Sequence, residues 1–321
     1  MRSITFSEVE YFKENPDVAE AVKNGIFVSG RQHYDLHGKN EGRLLKQYPG
    51  ETLRETRALQ FCDRKGLGLE IGPCHNPIAP KKKGFNVHIL DQCGAAELRK
   101  KYKDHNLDLE NIEKVDFVWK GEPYQKLIGK TSCYDWIIAS HVIEHVPDLI
   151  MFFQSCEALL KSAGTLSLVI PDRRYCFNYF SASSSTGSVL DAYAEKRVKP
   201  SQGQIFDHFA NVSKLHGNIA WSPDAKESAD ELIHTFDGAK EQWANSFDKK
   251  EDVDAHCWRF TPASFRLLIS DLLNLGLINL EIKAEFPTAG CEFQVSLGKK
   301  GDAPIVIDRL AALQAVKFEN S

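Results

Sequence analysis

Between residues 66 and 171 the chain alternates strand-like and helix-like segments, and this rhythm limits its fold more than any other feature. LGLEIG (67–72) is a compact apolar run ending in glycine, and FNVHILD (85–91) alternates Phe85, Val87 and Ile89 before an acid. VDFVW (115–119), YDWIIAS (134–140) and GTLSLVIP (164–171) come next, the last stopped by Pro171. Between the last two, Leu149, Phe152, Phe153, Cys156, Leu159 and Leu160 recur at helical spacing. Alternating βα units imply a mostly parallel, doubly wound sheet with helices on both faces. The pattern resumes late in the chain. Thr261-Pro262 reads as an N-cap and first-turn proline. Phe265, Leu268, Ile269 and Leu272 form an apolar stripe ended by Gly276. LINLEIKAEF (277–286) and CEFQVSL (291–297) supply a last strand pair, whose alternation suits antiparallel strands at a sheet edge.

The remaining segments organise around this core of residues 51–300. Residues 1–50 read as a module of short helices, with Ser7 as a cap, Asn15-Pro16 as a break and Gly25, Gly38 and Gly42 as stops. Helices this short need an external apolar surface. Residues 172–256 interrupt the rhythm and read as a cap insertion over one end of the sheet, beginning with the flexible loop SASSSTGS (181–188). Residues 301–321 read as a terminal helix or tail. Net charge is −4, so no broad positive field invites nucleic acid. No apolar run approaches the roughly 18 residues of a spanning helix. The N-terminus lacks a signal-peptide apolar block, and none of the eight cysteines form C-x-x-C. The expectation is a cytoplasmic protein with reduced thiols.

In a doubly wound sheet, ligands sit beyond the carboxyl ends of the strands. Glu70, Gly72 and Pro73 follow strand one, Asp91 strand two, Gly121 and Glu122 strand three, and Ser140 and His141 strand four. Asp91 lies 19 positions after Gly72, near the spacing at which an acid accepts both ribose hydroxyls. A nucleoside-type cofactor is implied. Gly66, Gly68 and Gly72 do not fit a dinucleotide fingerprint, and Pro73 and Pro77 make a poor phosphate cradle. A cofactor without phosphates fits better.

SHVIEHV (140–146) carries H-x-x-E-H through His141, Glu144 and His145, a zinc-peptidase pattern. A peptidase needs a third ligand from a later segment. His208, His216 and His256 are available, but nothing in the sequence fixes their spacing. The reading is therefore no catalytic metal, with activity surviving chelation.

LEIGPCHNPI, VHILD, YDWIIASHVIEHVPD and ALLKSAGTLSLVIPDRR, in that order, resemble the motifs of class I S-adenosylmethionine-dependent methyltransferases of the type 11-like, small-molecule and sugar-modifying branch. The likeness covers residues 66–172 and 258–298. It implies a Rossmann-like seven-stranded sheet with an antiparallel last strand, and S-adenosyl-L-methionine as cofactor. By the resemblance, Glu70, Gly72 and Pro73 hold the methionine part, Asp91 the ribose, and Gly121 and Glu122 the adenine, with Ser140 and His141 beside the sulfonium. Cys74 and Asn76 stand where the family has further glycines, and Lys120-Gly121-Glu122 replaces the usual third-loop acid. A sugar hydroxyl needs a base, for which His141 is first choice, then His256, then His145. Arg173, Arg174 and Tyr175 leave strand five towards the same cleft as candidate acceptor ligands; solvated or ion-paired arginines are the alternative. YFKENPDVAEAV…HYDLHGKNEGR also resembles a helical module in front of bacterial glycan-synthesis enzymes. It points to O-methylation of a surface-polysaccharide sugar, near glycan-assembly partners and peripheral to the inner membrane. The alternatives are another small-molecule acceptor, or a scaffold that binds the cofactor without turnover.

Overall fold

The computed structural model describes residues 6–248, 253–301 and 308–320. Ser7 and Ser29 cap α1 (Glu8–Glu14) and α3 (Gly30–His33), and Pro16 opens α2 (Pro16–Lys23). Tyr11, Val18 and Tyr34 from these turns form a small core of their own, joined by Leu45 and Phe61. Phe61 lies just past α4 (Leu53–Leu59), so the helical module closes against the larger body. The Gln60 side chain fastens the junction, accepting from the Leu45 amide at 3.0 Å and donating to the Arg43 carbonyl at 3.3 Å.

The larger body continues with β1 (Gly68–Ile71), β2 (Val87–Asp91), α5 (Ala95–Lys101), β3 (Phe117–Val118), α6 (Tyr124–Ile128), β4 (Tyr134–Ser140), α7 (Leu149–Leu159) and β5 (Leu160–Pro171). An intervening segment carries α8 (Thr186–Ala194), α9 (Gln202–Asn211), β6 (Ser213–Lys214), β7 (Glu231–Leu232) and α10 (Phe236–Asn245). Then come α11 (Pro262–Asn274), β8 (Leu280–Ala289), β9 (Glu292–Lys299) and α12 (Arg309–Glu319). Seven strands form one sheet in the order β3-β2-β1-β4-β5-β9-β8, while β6 and β7 make a separate ribbon. β1 to β5 run parallel, and β9 runs antiparallel to both neighbours. This is the Rossmann-like α/β class that the alternating pattern implies.

β4 shows why the sheet is buried on both sides. Tyr134, Ile137 and Ala139 enter the core under α7 and α11, whereas Trp136 and Ile138 enter the one under α4. Gly68 makes room for the indole: a Cβ there would sit 2.1 Å from Trp136. Three expectations need correction. The β9-β8 pair stands at the edge of the sheet, but the polar alternates Gln294 and Ser296 of β9 do not face water: they are buried on the face that α4 covers, with Gln294 donating to the Arg54 carbonyl at 3.3 Å. β5 begins at Leu160, directly after α7, rather than at Gly164. Residues 186–188 of the expected flexible loop form the first turn of α8, capped by Ser185. The tail helix α12 folds back on α11, where Glu319 accepts from the Ala263 amide at 2.9 Å.

Candidate active site

The carboxyl ends of β1, β2, β3 and β4 meet on one edge of the sheet. Beyond β1 the chain turns through Gly72 at φ +62°, and a Cβ there would lie 2.9 Å from Val142 in the loop after β4. Glycine thus lets two loops close on one another. Glu70 organises the loop after β1: its two oxygens accept from the amides of Ile78 (2.6 Å) and Ala79 (3.1 Å). Burial pushes its carboxyl up to about 7, against the pull of those amides and of Arg54. Glu70 therefore shapes the loop from inside, which corrects its expected role as a direct cofactor ligand. Cys74, at φ +43°, takes a backbone conformation that the family's glycine adopts without strain.

Asp91 ends β2 with only 6% of its surface exposed. One carboxylate oxygen accepts from the Gln92 amide at 2.7 Å; the other is buried with no hydrogen-bond partner. Burial raises its carboxyl above the ordinary aspartate value, although the Gln92 and Cys74 amides and Lys101 oppose this. After β3, Gly121 turns at φ +106°. Glu122 is spent on its own loop, its carbonyl accepting from the Trp119 indole (2.6 Å) and its carboxylate from the Lys120 amide (3.0 Å). One of its carboxylate oxygens is thus engaged within the loop.

His141 follows β4 in the left-handed region, at φ +53°. Its Nε2 meets a carboxylate oxygen of Glu292 at 2.7 Å, and its Nδ1 is 3.6 Å from Glu144. Glu292 opens β9, which runs antiparallel to β5 and so begins at the same sheet edge. Arg54 of α4 braces the pair, donating to Glu292 at 3.0 Å and to the hydroxyl of Ser140. The hydrogen bond from His141 and the charge of Arg54 hold the Glu292 carboxyl below its usual range despite burial. Arg54 and Glu292 were not singled out by sequence reasoning, and Glu144 was named only as part of H-x-x-E-H. Glu292 sits among the polar alternates of CEFQVSL, and Glu144 lies inside H-x-x-E-H, but Arg54 carries no motif.

His145 points elsewhere. Its Nδ1 hydrogen-bonds Asp254 at 2.7 Å, and its ring meets that of His256 edge-on at 4.6 Å. Burial would lower its pKa, but Asp254 and Glu144 outweigh that and raise it. His256 is buried, with Nδ1 at 2.6 Å from the Asn178 side-chain oxygen. Its backbone amide donates to Nδ1 of His208 at 3.2 Å. Burial and nearby Arg259 push His208 down to about 4. The fold thus gathers His145, His208 and His256, while His216 lies exposed on the ribbon with Glu227 and Asp230.

Arg173 and Arg174 are withdrawn as free acceptor ligands, because both guanidiniums are already occupied. Arg173 donates to Ser183 (2.8 Å), the Tyr179 carbonyl (3.2 Å) and Asn320 (2.5 Å). Arg174 grips the fully buried Asp172 through two nitrogens, at 2.9 and 2.6 Å. Tyr175 lies under the Arg174 guanidinium and lines a groove with Asn40 and Pro287. Of the tryptophans near the insertion, Trp243 stays 39% exposed against Phe247, whereas Trp258 is fully buried and donates to the Val146 carbonyl at 2.6 Å.

A family model described as a methyltransferase domain matches residues 45–271, well over half of the chain. The chain belongs to this family: it is an S-adenosylmethionine-dependent methyltransferase. Comparison with curated proteins returns no significant match. Similar solved structures include a SAM-dependent methyltransferase from Methanosarcina mazei, 17% identical over 75% of this chain and 94% of that one, with a TM-score of 0.34. The protein PH0226 from Pyrococcus horikoshii is 14% identical over 75% of this chain and 85% of that one, at 0.37. The trans-methyltransferase CalH, solved with SAH, is 12% identical over 90% of this chain and 68% of that one, also at 0.37. The residues present fit the cofactor. Asp91 presents an unpaired buried oxygen, and the Gly72 turn lies next to it, its amide donating to the Leu90 carbonyl at 2.8 Å. Among the described residues, no helix is long and apolar enough to cross a membrane.

Proposed function

We propose that the protein is an O-methyltransferase acting on a sugar hydroxyl of a bacterial surface polysaccharide or its precursor. The observation that carries the chemical part is the pairing of His141 with Glu292 at the carboxyl end of β4. When bound, S-adenosylmethionine supplies a methyl group already activated on a sulfonium. The protein's work is then to position an acceptor, exclude water and remove a proton. A carboxylate holding Nε2–H fixes the tautomer and leaves the Nδ1 lone pair of His141 to take the proton of a hydroxyl. Asp91 holds the cofactor ribose through its unpartnered oxygen, with Gly72, Pro73, Gly121 and Ser140 forming the surrounding wall. The polysaccharide part is supported by the likeness of residues 11–43 to modules in front of glycan-synthesis enzymes. It sets the enzyme in the cytoplasm beside glycan-assembly partners at the inner membrane.

The test is turnover on a panel of nucleotide sugars and surface-glycan oligosaccharides, with His141→Ala as the variant. Losing a general base costs about 10²–10⁴-fold in turnover. Calorimetry with S-adenosylhomocysteine should show unchanged affinity. Full turnover by the variant would remove His141 as the base, and loss of cofactor binding would make it a pocket wall. Cofactor binding with no turnover on any acceptor would favour the scaffold reading.

A further inference from the structure

We propose that Glu144, His145 and His256 form a binding site for a divalent cation of the zinc class, with a coordination position left open. One ligand atom from each residue lies within 4.8 Å of the others. The two histidines come from distant parts of the chain. They are brought together because the Glu144 carbonyl accepts from the amides of Cys257 (2.6 Å) and Trp258 (3.2 Å). That clamp ties the one-turn helix Ile143–His145 to the segment carrying His256.

The orientation of the rings is the first argument. His145 donates Nδ1–H to Asp254, and His256 donates Nδ1–H to the side-chain oxygen of Asn178. Each bond fixes the tautomer that leaves a lone pair on Nε2. A histidine ligand is normally held in this way by an acceptor behind it. The second argument is independent. Glu144 is 1% exposed, and neither of its carboxylate oxygens has a hydrogen-bond partner. A buried carboxylate without donors is costly unless something cationic answers it. Buried Arg259 adds an opposing positive charge to this neighbourhood. His208 spends its Nδ1 lone pair on the His256 amide and so supports the site rather than coordinating through that atom.

Two imidazoles and one carboxylate are a ligand set that zinc accepts, leaving a fourth position for an oxygen. The H-x-x-E-H pattern is therefore only half used, since His141 is not in the ligand set and His256 takes its place. The role in turnover rests on the O-methyltransferase reading. An acceptor hydroxyl bound at the open position becomes more acidic, and its proton passes to Nδ1 of His141, 3.6 Å from Glu144.

The test is equilibrium dialysis of the full chain, stripped by chelator, against zinc chloride, with folding checked by circular dichroism. One zinc per chain is expected. Glu144→Gln and His145→Gln should each weaken binding at least about 100-fold, and Asp254→Asn about 10–100-fold. His216→Ala, on the exposed ribbon, should leave it unchanged. A folded wild-type chain that takes up no stoichiometric zinc overturns the site, as does uptake indifferent to both ligand variants. Dialysis needs no turnover, so this result stands apart from the O-methyltransferase test. Stoichiometric zinc with turnover insensitive to its removal would overturn the catalytic role alone.

Discussion

Replacing Asp91 by Asn separates a cofactor contact from a structural one. In the free protein one Asp91 oxygen holds the Gln92 amide, and an amide side chain retains that acceptor. The other oxygen is buried without a hydrogen-bond partner, and the cost of burying its charge outweighs the pull of the Cys74 amide and Lys101. The Asn variant should therefore melt at or above the wild-type temperature. Affinity should move the other way. A hydrogen bond to a charged group contributes about 1.5–3 kcal/mol, and each 1.4 kcal/mol is a decade. Calorimetry should show S-adenosylhomocysteine binding weakened by roughly 10- to 100-fold. The same logic sets a pH dependence. Burial raises the Asp91 carboxyl, and the ionised form is the better acceptor. Wild-type affinity should thus decline on acidification before an ordinary aspartate would protonate, and the variant should lack this decline. Unchanged affinity together with a lower melting temperature would refute the reasoning and make Asp91 a loop support.

The same edge of the sheet carries further consequences. The Glu70 carboxyl sits near 7 in the fold against 4.5 when unperturbed, so its stabilising share is complete below about 4.5 and lost as pH rises through 7. At about 1.4 kcal/mol per pH unit this is on the order of 3 kcal/mol. Urea midpoints at pH 5 and 8 should therefore differ more in wild type than in Glu70→Gln, and equal slopes would contradict the assignment. Arg54→Lys cannot span Ser140 and Glu292 together; we expect kcat to fall about tenfold or more with little change in KM for the cofactor. Gly42→Ala puts a Cβ 2.6 Å from Pro287 at φ +64°, which should cost about 1–3 kcal/mol in thermal denaturation while leaving S-adenosylhomocysteine affinity near wild type.

The strands were legible because each is a short apolar run bounded by a turn residue, and because buried parallel strands need apolar residues on both faces. β9 misled for a related reason. Gln294 and Ser296 alternate as though facing water, yet α4, from far earlier in the chain, covers that face of the sheet. The place of Asp91 at the end of β2 was readable from the FNVHILD run. The partners of His141 were not, since Arg54 and Glu292 are 238 positions apart and meet only because β9 returns to the edge where β4 ends. The histidine gathering was half legible. Candidate residues could be named, but what separates His208 and His256 from His216 is the loop after β5, whose path no periodicity encodes. The arginines after β5 are held by the fold itself, Arg174 by Asp172 two positions before it and Arg173 by Ser183, the Tyr179 carbonyl and Asn320.

His141 occupies a backbone conformation that most side chains avoid, at a cost of about 1 kcal/mol relative to glycine. Its neighbour across the cleft, Cys74, shares the habit. If His141 is the proposed base, its position lies where heat resistance and chemistry select in opposite directions, whereas at Cys74 a glycine would simply relax the turn. A library screened only for survival at high temperature would be drawn to glycine or asparagine at position 141, relaxing the turn and erasing the imidazole. On the proposed role of His141, such winners would be sturdier proteins that bind cofactor and turn over about 10²–10⁴-fold more slowly. Any programme to harden this enzyme has to hold position 141 fixed and look for its gains elsewhere in the chain.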